Sequence, residues 1–287
     1  MDDRELLRDV MDIIGRENCL DDCAVLPSGD RYLVASTDML HEKSDFPAGM
    51  SGFQMGWMAI AVTLSDLASM GARPWFVLLA AGLDRGERLR EIMQGAKACC
   101  DEYDVILAGG DLDHHDELTL VSTGVGEVEK DRLVRRRGSG ISDALCITGM
   151  TGRAQAALEG NHRFDKYLFQ PVPRVCEGQA IAAAGATSMM DISDGLVISL
   201  YDMVDANGCG YAIESQNLPL IPGMEREESI QYSLYGGGDF ELLFTCPEDL
   251  LPVTGLDVTR IGTVIHAKEV LVDGVKVPKK GYQHFWC

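Results

Sequence analysis

The sequence predicts a mixed α/β (α+β) protein of two domains, residues 1–138 and 139–287, and three observations predict it. Apolar residues recur at helical spacing in some segments and as short buried runs in others, in both halves of the chain. A polar, basic, glycine-containing break, Arg135-Arg136-Arg137-Gly138-Ser139-Gly140, separates the halves. The 287 residues are 46% hydrophobic, enough for one large core or two smaller ones.

The elements follow in order. Leu6, Leu7, Val10, Ile13 and Ile14 share a helical face over 4–14, and Gly15 stops that helix. Asp21-Asp22 leads into Cys23-Ala24-Val25-Leu26, an apolar strand entered by carboxylates. Residues 32–36 predict a buried strand ending in Thr37-Asp38. A long helix is expected over about 52–70, closed by Gly71. Trp75–Ala81 predicts a strand, 86–101 a helix, and 105–108 a short strand ending in Gly109-Gly110-Asp111. Leu118–Val125 completes the first half as another strand. In the second half, strands are expected at 144–148, 188–190 and 243–245. Helices are expected at 152–160, at 174–185 and from Gly195 to about Ala206. Asp273-Gly274 between Val270-Leu271-Val272 and Val275-Lys276-Val277 signals a hairpin.

Composition narrows the function classes. A formal net charge of −20 and a pI near 4.6 repel nucleic acid and anionic lipid. The same field repels ATP, so a nucleotide enzyme this acidic must draw phosphates in through cations and a few placed arginines. No apolar run reaches the roughly 18 residues of a membrane span, and the start Met1-Asp2-Asp3 is not that of a signal peptide. The nine cysteines include no C-x-x-C pair, so buried reduced thiols in a cytoplasmic protein are expected.

Carboxylates carry the chemistry. Ser36-Thr37-Asp38, Gly109-Gly110-Asp111 and Asp191-Ile192-Ser193-Asp194-Gly195 all follow apolar strand segments. Small and hydroxyl neighbours leave room for a metal or a phosphate, and hard oxygen ligands of this kind suit Mg²⁺. Asp66 is the single charged residue between Asp45 and Arg73, on an apolar helix with no local cation. Taken singly, each acid has a plain alternative: Asp194 as a helix cap, Asp38 and Asp111 as turn residues, Asp22 in a loop. No G-x-x-x-x-G-K-[ST] or G-x-G-x-x-G occurs, so neither a P-loop nor a dinucleotide fold is supported. Arg135–Arg137 is the one dense basic run, fit for phosphate or for an exposed linker.

Six segments in register now resemble one family. LDDCAVL (20–26), STDML (36–40), GWMAIAVTLSDLASMGARP (56–74), LAGGD (107–111), MDISDGL (190–196) and YGGGDFELLFT (235–245), with the ending KGYQHF (280–285), resemble thiamine-monophosphate kinases of the aminoimidazole-ribonucleotide-synthetase-like superfamily. The resemblance implies a two-domain fold whose N-terminal sheet forms a barrel in a homodimer. It implies Mg²⁺ and ATP as cofactors and direct transfer of a phosphoryl group to thiamine monophosphate. By motif, it implies Mg²⁺ ligands at Asp22, Ser36, Thr37, Asp38, Asp66, Asp111, Asp191 and Asp194. Of these, Asp38, Asp66 and Asp111 are the expected catalytic set. Gly110, Asp111, Arg136 and Ser193 are implied at the nucleotide, and Asp45, Gly238 and Tyr282 at the substrate. Two positions depart from the pattern: Asp45 stands where the family often has His, and Gly238 where it often has Glu. Two other readings follow from these departures and from the ending Phe285-Trp286-Cys287. One is another ATP enzyme of the superfamily with a different acceptor, and the other is a non-catalytic sensor.

Overall fold

The computed structural model describes residues 2–253 and 255–284. The chain opens with helix α1 (Asp3–Ile14), whose Asp2 cap accepts from Glu5 N at 2.7 Å while Asp2 N donates to Glu5 Oε2 at 3.1 Å. It then builds a five-stranded sheet from β1 (Ala24–Ser28), β2 (Arg31–His41), β3 (Arg73–Leu83), β4 (Ile106–His114) and β5 (Thr119–Glu129). The order is β1-β2-β5-β3-β4, with β3 and β4 parallel and the other pairs antiparallel.

Helix α2 (Gly52–Ser69) lies under this sheet, and α3 (Leu89–Glu102) packs against α2. Ser51 caps α2 by accepting from Gln54 N, and Ser51 N donates to Gln54 Oε1 at 2.9 Å. The helix is apolar around its circumference because it is covered from several sides. It meets β2, β3 and β5, then α3, α6 (Val175–Ala184) and β7 (Ser188–Ile192). The α2–α3 contact is close enough to require glycine: a Cβ on Gly56 would stand 1.9 Å from Ile92 O, and one on Gly95 1.8 Å from Phe53 O.

Residues 144–276 form a seven-stranded sheet in the order β12-β11-β8-β10-β6-β9-β7. Its strands are β6 (Ala144–Thr148), β7, β8 (Gly210–Ile213), β9 (Glu241–Cys246), β10 (Val258–Ile265), β11 (Val270–Val272) and β12 (Val275–Lys276). Between them run α4 (Arg153–Leu158), α5 (Asp165–Phe169), α6, α7 (Leu196–Asn207) and α8 (Arg226–Tyr235). The mixed α/β class is therefore as the sequence predicts, and the structure holds two sheets. The strands β8 and β10 and helix α8 are additions. β8 is only four residues, β10 is broken by a register shift between Arg260 and Gly262, and α8 is polar along most of its length.

Two expectations need correction. Ser36-Thr37-Asp38 and Gly109-Gly110-Asp111 do not end their strands. β2 runs on to His41 and β4 to His114, because β5 and β3 keep offering ladder partners beyond those residues. Their side chains therefore alternate between the two faces of a sheet instead of fanning out from a loop. Among the described residues no helix is long and apolar enough to cross a membrane. The cysteines described are all free, and most are buried. Phe285, Trp286 and Cys287 lie outside the described residues.

Candidate active site

Helix α2 supplies the centre of the site. Asp66 projects from it, and Thr63, Ser65 and Ser69 on the same stretch each hold a carboxylate from another element. Thr63 Oγ1 donates to Asp38 Oδ2 at 2.8 Å, Ser65 Oγ to Asp191 Oδ2 at 2.6 Å, and Ser69 Oγ to Asp22 Oδ2 at 2.6 Å. Ser36 Oγ, from β2, donates to Asp66 Oδ2. Carboxylates from the entry to β1, from β2, from α2 and from the end of β7 thus meet around one helical segment. Oxygens of Asp22, Asp66 and Asp191 all lie within 4.8 Å of one another. Asp191 is buried, and the other two are partly so.

This packing of like charges has an electrostatic consequence. Burial pushes the Asp66 carboxyl well above the usual range, and the neighbouring Asp38, Asp191 and Asp22 push it further. Burial raises Asp38 as well. Asp191 is pushed up to about 8, by burial first and by Asp22 next, against the hydrogen bond from Ser65. Among the described residues only Arg136 answers these charges directly, through its guanidinium to Asp22 Oδ1. Arg135 is held beside it on Asp21. A set of hard oxygen donors short of cations fits Mg²⁺, which binds through one or two carboxylates and completes its shell with phosphates and water.

The raised carboxyls set a pH dependence. Asp191 ordinarily titrates near 3.8 and here near 8, so between those values the unfolded chain is ionised while the folded site still holds the proton. Stability of the metal-free protein must then fall as pH rises from about 4 to about 8. Calorimetric scans in chelator are expected to show that decline. Saturating Mg²⁺ at pH 8 is expected to raise the melting temperature by roughly 5 °C or more, and far less at pH 5. A melting temperature flat across this window would contradict the cluster's strain.

A cavity of about 600 Å³ opens onto these groups. Asp22, Asp66, Arg136, Asp191, Ser193 and Asp194 all line it, bringing six of the sequence-predicted residues into one cleft. Ser36 and Asp38 join through their contacts with Asp66 and α2. Asp194 is not a helix cap: Gly195 occupies that position on α7, and Asp194 Oδ2 instead accepts from Arg4 Nη2 at 3.1 Å.

Three predicted residues stand apart in the single chain. Thr37 turns to the other face of β2, where its hydroxyl bonds Ser122 O at 3.0 Å and Thr123 Oγ1 at 2.9 Å. Asp111, with Gly110, is exposed on the edge strand β4. Ladder partners relate it to Ala80, Val121 and Met39 in turn, three strands away from β2, or about 14 Å. That row lies on the sheet face away from α2.

The expected substrate residues gather at one rim. Gly238 N donates to Ser193 O at 2.7 Å, and Tyr282 N to Asp194 O at 2.8 Å. The Tyr282 hydroxyl approaches Ser44 O at 3.4 Å. Asp45 accepts from His41 N at 2.7 Å and from Ser44 Oγ at 2.8 Å, so it braces its own turn. Gly238 has a φ of +89°, and a Cβ there would come within 3.2 Å of Ala154 Cβ, so a larger residue needs a different local backbone.

Sequence reasoning missed several participants. The hydroxyls in TLSDLAS pass as small filler on an apolar helix, though their spacing about Asp66 was a readable signal. Arg4, Asp202 and Lys279 line the same cavity, and their pairing spans most of the chain. A second charged cluster is buried beside β9: Glu241 accepts from Arg153 Nη2 at 2.6 Å and from Arg174 Nη2 at 2.5 Å.

Comparison with known proteins agrees with this geometry. Residues 20–128 match the family described as AIR synthase related protein, N-terminal domain. A thiamine-monophosphate kinase of Methanospirillum hungatei is 52% identical over 100% of both chains. One from Archaeoglobus fulgidus is 36% identical, covering 99% of this chain and 98% of that one. A solved structure described as AaThiL complexed with AMPPCP and TMP superposes with a TM-score of 0.93 at 28% identity, covering 99% of this chain and 97% of that one. A structure of the hydrogenase maturation protein HypE with ATP shares the fold alone, at 19% identity and a TM-score of 0.71. With half its residues identical to a full-length relative, and its acids converging on one cleft, the chain belongs to the thiamine-monophosphate kinase family.

Proposed function

We propose that this protein transfers the γ-phosphoryl group of ATP to the phosphate of thiamine monophosphate, giving thiamine diphosphate and ADP. The observation that carries this reading is the meeting of Asp22, Asp66 and Asp191 within 4.8 Å, in a chain of this family. Mg²⁺, when bound, would neutralise charge between the two anionic reactants. Asp22, Asp66 and Asp191 would hold it, with Ser36, Asp38 and Asp194 completing the surrounding oxygen set. The hydroxyls of Thr63, Ser65 and Ser69 fix those carboxylates in place before any ligand arrives, so little reorganisation is required. Arg136 and Ser193 line the cleft, where they would face the nucleotide, Arg136 adding a charge toward the phosphates. The acceptor phosphate is ionised near pH 7, so no strong general base is required. Consistently, no histidine lines the cavity among the described residues. The acceptor's organic end would lie at the rim formed by Tyr282, Gly238 and the Ser44–Asp45 turn.

The working unit in this reading is a homodimer. The sheet face away from α2 leaves Leu26, Met39, Trp75 and Leu78 between 39% and 59% exposed, an apolar surface that a second copy would cover as a barrel. Asp111 and Gly110 sit on that sheet's free edge, too far from Asp38 to share a metal in one chain. They would enter the site of the partner subunit. We place the domain boundary at 138/139, inside the basic break between the two sheets. Free thiols suit a cytoplasmic setting.

An ADP-release assay with Mg²⁺-ATP tests the proposal. Thiamine monophosphate is expected to support turnover, with thiamine diphosphate as product, and unphosphorylated thiamine is not. Preference for an unphosphorylated acceptor, or ATP binding without consumption, would overturn it.

A further inference from the structure

Helix α1 forms one wall of the cleft, yet none of its residues is buried in the core. Its outer apolar residues are open, with Ile13 82% exposed. Polar ties hold it to the C-terminal half of the chain. Arg4 Nε reaches Asp202 Oδ1 and Oδ2 at 3.1 Å each, and Arg4 Nη2 reaches Asp202 Oδ2 at 2.8 Å. Arg16 Nη2 donates to Asp205 O at 2.9 Å, and Gln283 Nε2 to Asp2 Oδ2 at 3.2 Å. Five cationic side chains line the cleft: Arg4, Arg8, Arg16, Arg136 and Lys279. Three of the five come from α1 and the turn after it. In a chain of net charge −20, that short segment brings three arginines to the cleft, beside its own Asp3, Glu5, Asp9 and Asp12.

Arg4 occupies a particular place within this group. Its guanidinium meets three carboxylates, the adjacent Asp3 at 3.4 Å, Asp202 and Asp194, and the last two differ in standing. Asp202 has a second cation, Lys279 Nζ at 3.1 Å, whereas Arg4 is the one ion-pair partner of Asp194 among the described residues. Asp194 is also one of the acids that the metal-bound state would recruit. The fork of Arg4 can stay docked on Asp202 through Nε while its Nη2 leaves Asp194, because guanidinium presents several donors in one plane.

We propose that Arg4 is a nucleotide-binding residue carried by α1. Its guanidinium supplies the positive charge beside Asp194. When a nucleotide enters with its cation, the Nη2 edge of Arg4 leaves Asp194 and binds a phosphate, and Asp194 would be free to join the oxygen set that holds the cation. The helix thereby becomes a wall that bound ligand tightens further. This rests on the kinase reading above, since it needs a polyanionic ligand in this cleft.

The test combines calorimetry with amide exchange on the full chain, using Mg²⁺ and AMPPCP as probe. In the wild type, Mg²⁺-AMPPCP is expected to slow exchange in residues 3–14 at least about fivefold. Arg4→Ala is expected to bind the analogue about tenfold or more weakly, the loss of one charge-assisted contact, and its α1 should exchange equally fast with or without ligand. Arg4→Lys, which keeps the charge and loses the fork, is expected to recover part of the affinity. An unchanged Kd in Arg4→Ala, or wild-type α1 exchange indifferent to bound analogue, would overturn the assignment and leave the kinase reading intact. Failure of the wild type to bind Mg²⁺-AMPPCP at all would count against both.

Discussion

Asp66→Asn is expected to lower turnover by about 10²–10³-fold or more, while raising the melting temperature of the metal-free protein. The two signs follow from one geometry. Asp66 lies amid Asp22, Asp38 and Asp191, and its own carboxyl is pushed well up by burial and by those neighbours. An amide of the same shape keeps an acceptor for Ser36 Oγ and removes one charge from the cluster. Relief of like-charge repulsion in a buried site is worth on the order of 1–3 kcal/mol, or several degrees for a chain of this size. The substituted site nevertheless loses a central oxygen ligand, so the Mg²⁺-induced rise in melting temperature at pH 8 should vanish. Thermal scans with and without Mg²⁺, read beside ADP release, check this. A side chain that serves only to hold the fold would lose stability and activity together, and that result would remove Asp66 from the metal site.

Mixed dimers of Asp66→Asn and Asp111→Asn are expected to regain activity that neither variant shows alone. If Asp111 works in the partner subunit's site, a mixed dimer contains one doubly damaged site and one intact one. Random exchange makes half the dimers mixed, so recovery should approach about a quarter of wild-type turnover. If instead both residues served the same site within one chain, every site in every dimer would be damaged and no activity would return. The strand order underlies this expectation. Asp111 is separated from the row of Asp38 by β5 and β3, and its edge of the sheet is unpaired. Placing a charge on the open face, as in Leu78→Asp, should correspondingly yield monomers with little turnover, as sedimentation and the same assay would report.

Much of this was legible in the sequence, for physical reasons that differ from residue to residue. Asp66 stood out because a lone carboxylate on an otherwise apolar helix has to be explained by something outside that helix, and α2 is indeed enclosed on several sides. The gathering of Asp22, Asp38, Asp191 and Asp194 was expected from their settings and from family resemblance. The hydroxyl rack on α2 was not, because Thr63, Ser65 and Ser69 pass as filler until a carboxylate is seen opposite each. Local pattern alone reads Thr37 with Ser36 and Asp38 as the end of a strand. The strand continues, so period-two alternation sends it to the other face. Asp111 needed the order of strands, which no local pattern contains. Arg4 and Asp202, 198 residues apart, needed the fold itself. The same is true of Glu241 with Arg153 and Arg174.

The most direct measurement is anomalous diffraction from crystals grown with Mn²⁺, a Mg²⁺ substitute, and AMPPCP. Expected are Mn²⁺ peaks bounded by Asp22, Asp66 and Asp191, within about 2.5 Å of their carboxylate oxygens. Mn²⁺ found only on the outer surface, with those three side chains still turned toward their serine partners and no metal between them, would contradict the assignment of this cleft.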